Sequence, residues 1–277
     1  MIRFFQALVS VLVWIGIGFW TLCWTVLIFL VYINQRWLDP QHQRMHRMAA
    51  AWGRMLVAMA PGCSVQVFGR EHLPVDRPVI LMANHQSYVD IPTLYWLKWP
   101  FRWMADAGLF GIPFFGWSMA MAGYIPVHRG NAKAAVRTLE QARNTLAQGT
   151  SIFIFPEGTR SHTGVLGRFQ TGGFRLAIMT QRPIVPVVVV GTRYLLPRGS
   201  WIFRWGVRLQ IHLLPPVQPV GDDLRQLRPL VAQVRHQMME TYRRQLPAAM
   251  SSSRNREPAP DLIGGSKRDS GFCGNDG

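Results

Sequence analysis

The chain has 277 residues, 49% hydrophobic and 16% charged, enough for one large domain with appendages and too apolar for a mainly disordered chain. Three scattered cysteines, Cys23, Cys63 and Cys273, exclude a disulfide scaffold and a zinc cluster. The 30 Lys and Arg against 14 Asp and Glu leave a formal charge of +16, which calls for an anionic partner: nucleic acid, a phosphorylated ligand or an acidic membrane surface.

The N-terminus chooses among these. No Asp, Glu, Lys, Arg or His occurs from Phe4 to Gln35, and most of that run is Leu, Val, Ile, Phe or Trp. About 20 apolar residues cross a ~30 Å hydrocarbon layer. A secretory signal would have a shorter apolar region of about 7–15 residues. Residues 1–36 are therefore expected to be a retained membrane segment, either one helix or a hairpin bent near Gly16-Ile17-Gly18. Arg36, Arg44, Arg47 and Arg54 follow it, against Arg3 alone before it, so the body should lie on the cytoplasmic face. Residues 37–62 join the segment to the body through an amphipathic or core helix, with Met45, Met48, Ala49, Trp52, Met55 and Leu56 at helical spacing.

The body is expected over 63–246. Strand-like runs occur at Ser64–Phe68, Val79–Met82, Ser151–Phe155, Ile184–Val190 and Arg208–Leu214. Helical stretches lie between them, clearest in Asn131–Ala147 and Asp222–Arg244, with Asn131 as an N-cap and Gly149 as a stop. The alternation predicts an α/β fold: a single domain whose central, mostly buried sheet is flanked by helices, preceded by the membrane helix or hairpin. From Pro247 the composition turns to Ser, Pro, Gly and mixed charge, so 247–277 reads as a disordered tail.

Two segments carry reactive groups. Asn84-His85-Gln86-Ser87-Tyr88-Val89-Asp90 follows an apolar strand, where α/β domains place their sites. If a helix starts between them, Asp90 can fold back onto His85, fix its tautomer and leave Nε2 as a base. Taken alone, this spacing also suits a surface histidine and a helix-capping aspartate. Phe153-Ile154-Phe155-Pro156-Glu157-Gly158-Thr159-Arg160-Ser161 runs from a second strand into a loop whose backbone N–H groups and arginine suit a phosphate. It could equally be an ordinary turn. Gly123-Tyr124-Ile125-Pro126-Val127-His128-Arg129 and Ile184–Gly191 complete an ordered set of four segments.

Together these four resemble the glycerolipid acyltransferases, specifically the 1-acylglycerol-3-phosphate (lysophosphatidate) acyltransferase family, over roughly residues 60 to 215. The resemblance implies a membrane-bound enzyme that moves a fatty acyl group from acyl-CoA or acyl carrier protein to a lysophospholipid hydroxyl. His85 would be the general base and Asp90 its orienting partner. Asn84, Arg129, Glu157, Gly158, Thr159 and Arg160 would bind substrate, with the two arginines on the acceptor phosphate. Glu157 would hold the glycerol or position Arg160. No metal and no cofactor beyond the acyl donor is implied; the partners would be membrane phospholipids, the lysophospholipid and the donor, and not nucleic acid. Family members commonly carry a lysine just before the run that matches Leu109-Phe110-Gly111-Ile112-Pro113, and here the neighbourhood is Ala105-Asp106-Ala107-Gly108. That departure bears on the headgroup and admits another acceptor, such as a lyso-aminolipid. A transacylase and a catalytically silent membrane scaffold are the further alternatives.

Overall fold

A computed structural model of the chain describes residues 2–252, apart from 36, 40, 129, 131, 162, 198 and 222. The apolar N-terminus forms α1 (Ile2–Gln35), a single unbroken helix. Gly16 and Gly18 do not bend it, so no hairpin forms. α2 (Gln43–Ala58) follows. Its first turn is held by Asp39, whose Oδ1 accepts from the Gln43 N–H and Oδ2 from the Arg44 N–H, both at 2.8 Å. A carboxylate there also complements the positive end of the helix dipole. Met45, Ala49, Ala50, Gly53 and Val57 are buried along one face, which makes α2 a core helix.

Seven strands form one sheet: β1 (Ser64–Phe68), β2 (Ile80–Ala83), β3 (Phe101–Asp106), β4 (Ile125–Val127), β5 (Ser151–Ile154), β6 (Ile184–Val190) and β7 (Arg208–Leu213). Their order across the sheet is β1-β7-β6-β2-β5-β3-β4. Every pairing is parallel except β6 with β7. The connecting helices are α3 (Asp90–Leu94), α4 (Phe115–Met121), α5 (Ala132–Ala147), α6 (Gly172–Thr180), α7 (Thr192–Leu195) and α8 (Leu227–Ser252). The sheet separates two apolar layers, and the period-two alternation of strands assigns side chains to each. Ile80, Met82, Val188 and Val190 pack with α5, α6 and α8, whereas Leu81, Ala83, Val187 and Val189 pack with α2 and α4. β6 is buried along its whole length, as expected of a central strand covered on both faces.

The α/β architecture matches the expectation from sequence; β3 is an addition to the five strand-like runs, and so is β4, which falls in the Gly123–Arg129 segment. Helix α8 runs through Pro247 to Ser252, so the boundary expected for the tail falls inside a helix. The remainder of that tail, 253–277, lies outside the described residues. So does Asn131, the expected cap of α5, while Gly149 stands just beyond that helix at φ +84.

α1 lies along this body. Ser10 Oγ accepts from the Phe203 N–H at 2.9 Å, Trp14 Nε1–H donates to Trp201 O at 2.7 Å and Trp24 Nε1–H to Met48 O at 2.9 Å. Further on, Thr25 and Ser118 share a hydroxyl bond, and Ile28 is buried in the layer that includes α2.

Candidate active site

The neighbouring parallel strands β2 and β5 deliver the two reactive segments side by side at their carboxyl ends. Beyond β2 the chain turns into α3, whose first residue is Asp90. The turn brings His85 Nδ1 to 2.8 Å from Asp90 Oδ2. The same oxygen accepts from the backbone N–H groups of Gln86, at 2.6 Å, and Ser87, at 2.8 Å. Asp90 is wholly buried. An acceptor held by two amides fixes Nδ1 of His85 as the protonated nitrogen and leaves Nε2 for a substrate. The imidazole lies flat on Phe155, with ring centroids 4.0 Å apart.

The loop after β5 is fastened to the first segment. Glu157 Oε1 accepts from the His85 N–H at 3.0 Å, and Oε2 accepts from the Gly167 N–H at 2.8 Å. Ser161 N–H donates to His85 O at 2.7 Å, and Gly158 N–H closes a turn onto Phe155 O at 3.0 Å. Burial pushes the Glu157 carboxyl up from its ordinary value, against the pull of those two amide bonds. Both carboxylate oxygens hold backbone, so Glu157 braces the two loops against each other. Arg160 stacks on Tyr88, its Cζ 3.6 Å from the ring centroid.

Asn84 directly follows β2. It is buried, its Nδ2–H donates to Val189 O at 2.9 Å, and its Oδ1 accepts from the Val189 N–H at 2.7 Å. The amide copies a strand pairing and ties the end of β2 to β6. Arg129 lies outside the described residues. Gly158 and Thr159 line the cavity described next.

A cavity of about 650 Å³ opens at His85. Phe155, Glu157, Trp103 and Asp106 border it, and α1 closes one side with Trp24, Thr25 and Ile28. Its size is that of a small-molecule site and its lining is mostly apolar, which suits an alkyl chain. Sequence reasoning missed Phe155, Trp103 and the whole α1 wall. The spacing of Phe153 and Phe155 was a usable signal, since residues two apart share a strand face. No cysteine stands at the site among the described residues, and burial pushes the Cys63 thiol up, away from a thiolate. No cluster of His, Cys, Asp or Glu among the described residues could hold a metal ion.

The acyltransferase family matches residues 64–190. The chain is 32% identical over 248 residues to the 1-acyl-sn-glycerol-3-phosphate acyltransferase of Saccharomyces cerevisiae, covering 87% of this chain and 78% of that one. It is 37% identical to a chloroplastic 1-acyl-sn-glycerol-3-phosphate acyltransferase of Arabidopsis thaliana, over 68% of this chain and 54% of the relative. It thus spans about half the length of the plant and algal relatives that it matches. The crystal structure of the 1-acyl-sn-glycerophosphate acyltransferase PlsC from Thermotoga maritima superposes with a TM-score of 0.72 at 25% identity, over 87% of this chain and 98% of that one.

Proposed function

Because the chain belongs to the 1-acyl-sn-glycerol-3-phosphate acyltransferase family, we propose that it transfers a fatty acyl group from acyl-CoA or acyl carrier protein to the free hydroxyl of 1-acyl-glycerol-3-phosphate, giving phosphatidate. The observation that carries this reading is the His85–Asp90 pair at 2.8 Å, set at the mouth of an apolar cavity. His85 Nε2 takes the proton of the acceptor hydroxyl as its oxygen attacks the thioester carbonyl. Buried Asp90 stabilises the imidazolium that forms. The tetrahedral intermediate collapses with loss of the thiolate, which receives the proton from His85. A thiolate, with a free-thiol pKa of about 8.5, leaves without an enzyme nucleophile. Arg160, stacked on Tyr88, is the cation we assign to the acceptor phosphate, joined by Arg129; planar guanidinium suits that group.

We place the protein at a membrane through α1, with the body on the cytoplasmic side and the arginines that follow the helix facing anionic headgroups. Asp106, which borders the cavity, favours a second reading in which the acceptor carries an amine, as a lyso-aminolipid does. Incubating the protein with a panel of lysolipids and both donor types, with the product identified by mass spectrometry, separates the two. Phosphatidate should form, His85→Ala should lower turnover by about 10²–10⁴-fold, and Arg160→Lys should raise the acceptor KM and leave the donor KM largely unchanged. Brisk acylation of an aminolipid without use of lysophosphatidate would replace the first reading by the second.

A further inference from the structure

A second cavity, of about 290 Å³, lies beside the first. Trp14 and Ile17 of α1, Leu56 of α2, Leu195 and Phe203 contribute to its wall, and Tyr88 stands at its side. Thr21, Trp52, Ile91 and Phe115 border both cavities, so a single layer of side chains separates them. Trp52 is fixed in that layer by a 3.2 Å bond from its Nε1–H to Thr21 Oγ1.

We propose that this second cavity holds the acyl chain already present on the lysolipid acceptor, and that the larger one holds the chain being transferred; the assignment rests on the acyltransferase reading above. Tyr88 makes the connection. Its ring carries the Arg160 guanidinium at 3.6 Å, and the same residue lines the second cavity. In a 1-acyl-glycerol-3-phosphate the phosphate and the acyl ester sit at the two ends of a three-carbon unit, with the reacting hydroxyl between them. An enzyme that binds it must therefore place an anion site, a base and the mouth of an apolar slot within one glycerol of each other. The structure brings these together: Tyr88 carries Arg160 and lines the second cavity three residues after His85, and the N–H of Ser161, next to Arg160, donates to His85 O. The donor has a different one: its chain is attached directly to the carbonyl under attack. That chain must begin at His85, which lines the first cavity and not the second. The product then has one chain on each side of the Trp52–Phe115 partition. Both cavities are walled by α1, whose outer face is apolar, so both chains leave toward the same surface.

The test fills the second cavity from residues that do not border the first. Ile17→Trp and Leu56→Trp are assayed with lysophosphatidates from octanoyl to stearoyl at a fixed donor, and then with a series of donors at a fixed acceptor. The ratio of kcat/KM for the stearoyl over the octanoyl acceptor should fall by about tenfold or more, because several methylenes lose their pocket. The profile across donors should keep its shape. Leu56→Ala should move the acceptor preference toward longer chains. If instead the donor profile changes and the acceptor profile holds, the two chains are assigned the wrong way round. If neither profile changes in folded, active variants, the cavity does not hold a substrate chain and the proposal fails. Should the tryptophan variants not fold, the same outcomes are separated by thermal stabilisation of the wild type and of Leu56→Ala, without donor, by 1-alkyl glycerol phosphates of graded chain length that lack the 2-hydroxyl. A wild-type protein that acylates no lysophosphatidate would overturn the underlying reading itself, which is a distinct outcome.

Discussion

Glu157 holds two amide hydrogens with its two oxygens, so a change of one atom tests what it does. Glu157→Gln leaves one carbonyl oxygen for two donors and turns an NH₂ toward the N–H of either His85 or Gly167. An unsatisfied buried donor costs about 1–3 kcal/mol. The variant should therefore unfold at lower temperature, and kcat should fall more than acceptor KM rises, because the loop under His85 shifts. A role in gripping the glycerol would show chiefly in KM, and steady-state kinetics on the purified variant tell the two apart. The same residue shows how far the site was legible. His85 and Asp90 are five apart and one turn of backbone closes them, so their pairing was within reach of local spacing, with the other three segments choosing it over a surface histidine. Glu157 meets His85 across 72 positions and Asn84 meets Val189 across 105. Which backbone groups those side chains satisfy depends on strand order, and no local pattern in the chain contains it.

At the scale of elements, α2 is fastened to β3 by a directed chain of polar groups. Trp103 Nε1–H donates to the Tyr95 hydroxyl at 3.0 Å, and the Tyr95 and Tyr124 hydroxyls are bonded at 2.9 Å. Tyr124 reaches His46 Nδ1 at 3.3 Å, and His46 Nε2 reaches Trp99 O at 3.3 Å. A neutral His46 completes this chain, accepting at Nδ1 from Tyr124 and donating at Nε2 to the carbonyl. Burial, reinforced by Arg102, pushes its pKa down to about 3. The folded state therefore resists a proton that the unfolded chain takes up near pH 6.5. The stability contributed by the neutral ring is present above about pH 6.5 and is lost as pH falls toward about 3, at roughly 1.4 kcal/mol per pH unit. His46→Gln should start less stable at neutral pH and show a shallower decline through that window, as read from urea midpoints in detergent. An unchanged slope would mean that His46 does not control the acid limb. None of this was visible in sequence: β3 reads Phe-Arg-Trp-Met-Ala-Asp, which breaks the apolar alternation, and its Arg102 is buried against expectation for a charged residue. β2 and β6 are apolar throughout and buried, β5 is apolar after Ser151, and β1 and β7 mix apolar with polar residues, so these five were legible as strand-like runs.

At the scale of the whole molecule, α1 poses a geometric question that its hydropathy alone does not answer. Thirty-one of its residues, Phe4–Asn34, are apolar enough to cross a membrane. Yet α1 is tied to the body by Ser10, Trp14 and Trp24, and again at the buried Ile28. Ser10 and Ile28 are about 27 Å apart along the axis at 1.5 Å per residue, close to the ~30 Å thickness of the hydrocarbon layer. A helix held against the domain over that length is therefore expected to lie along a bilayer and not to stand upright in it. Its polar residues agree, since Gln6, Ser10 and Thr25 are buried against the body, although in sequence they look like scattered interruptions of a span. Phe4, Leu8, Leu12, Ile15, Phe19, Leu22, Val26, Leu30 and Ile33 are exposed, and their spacing of three and four makes one stripe. Ile112, Phe114 and Trp117 extend the exposed apolar surface at α4, which packs on α1. This stripe should enter one leaflet lengthwise, with both ends of α1 on the same side and the surplus of arginine near anionic headgroups. Nitroxides placed singly at Leu12, Phe19 and Leu30 in protein bound to anionic vesicles should therefore report similar depths by power saturation. Depths that run from one interface through the centre to the other would show a spanning helix, and α1 would then have to separate from the body and open the wall of both cavities.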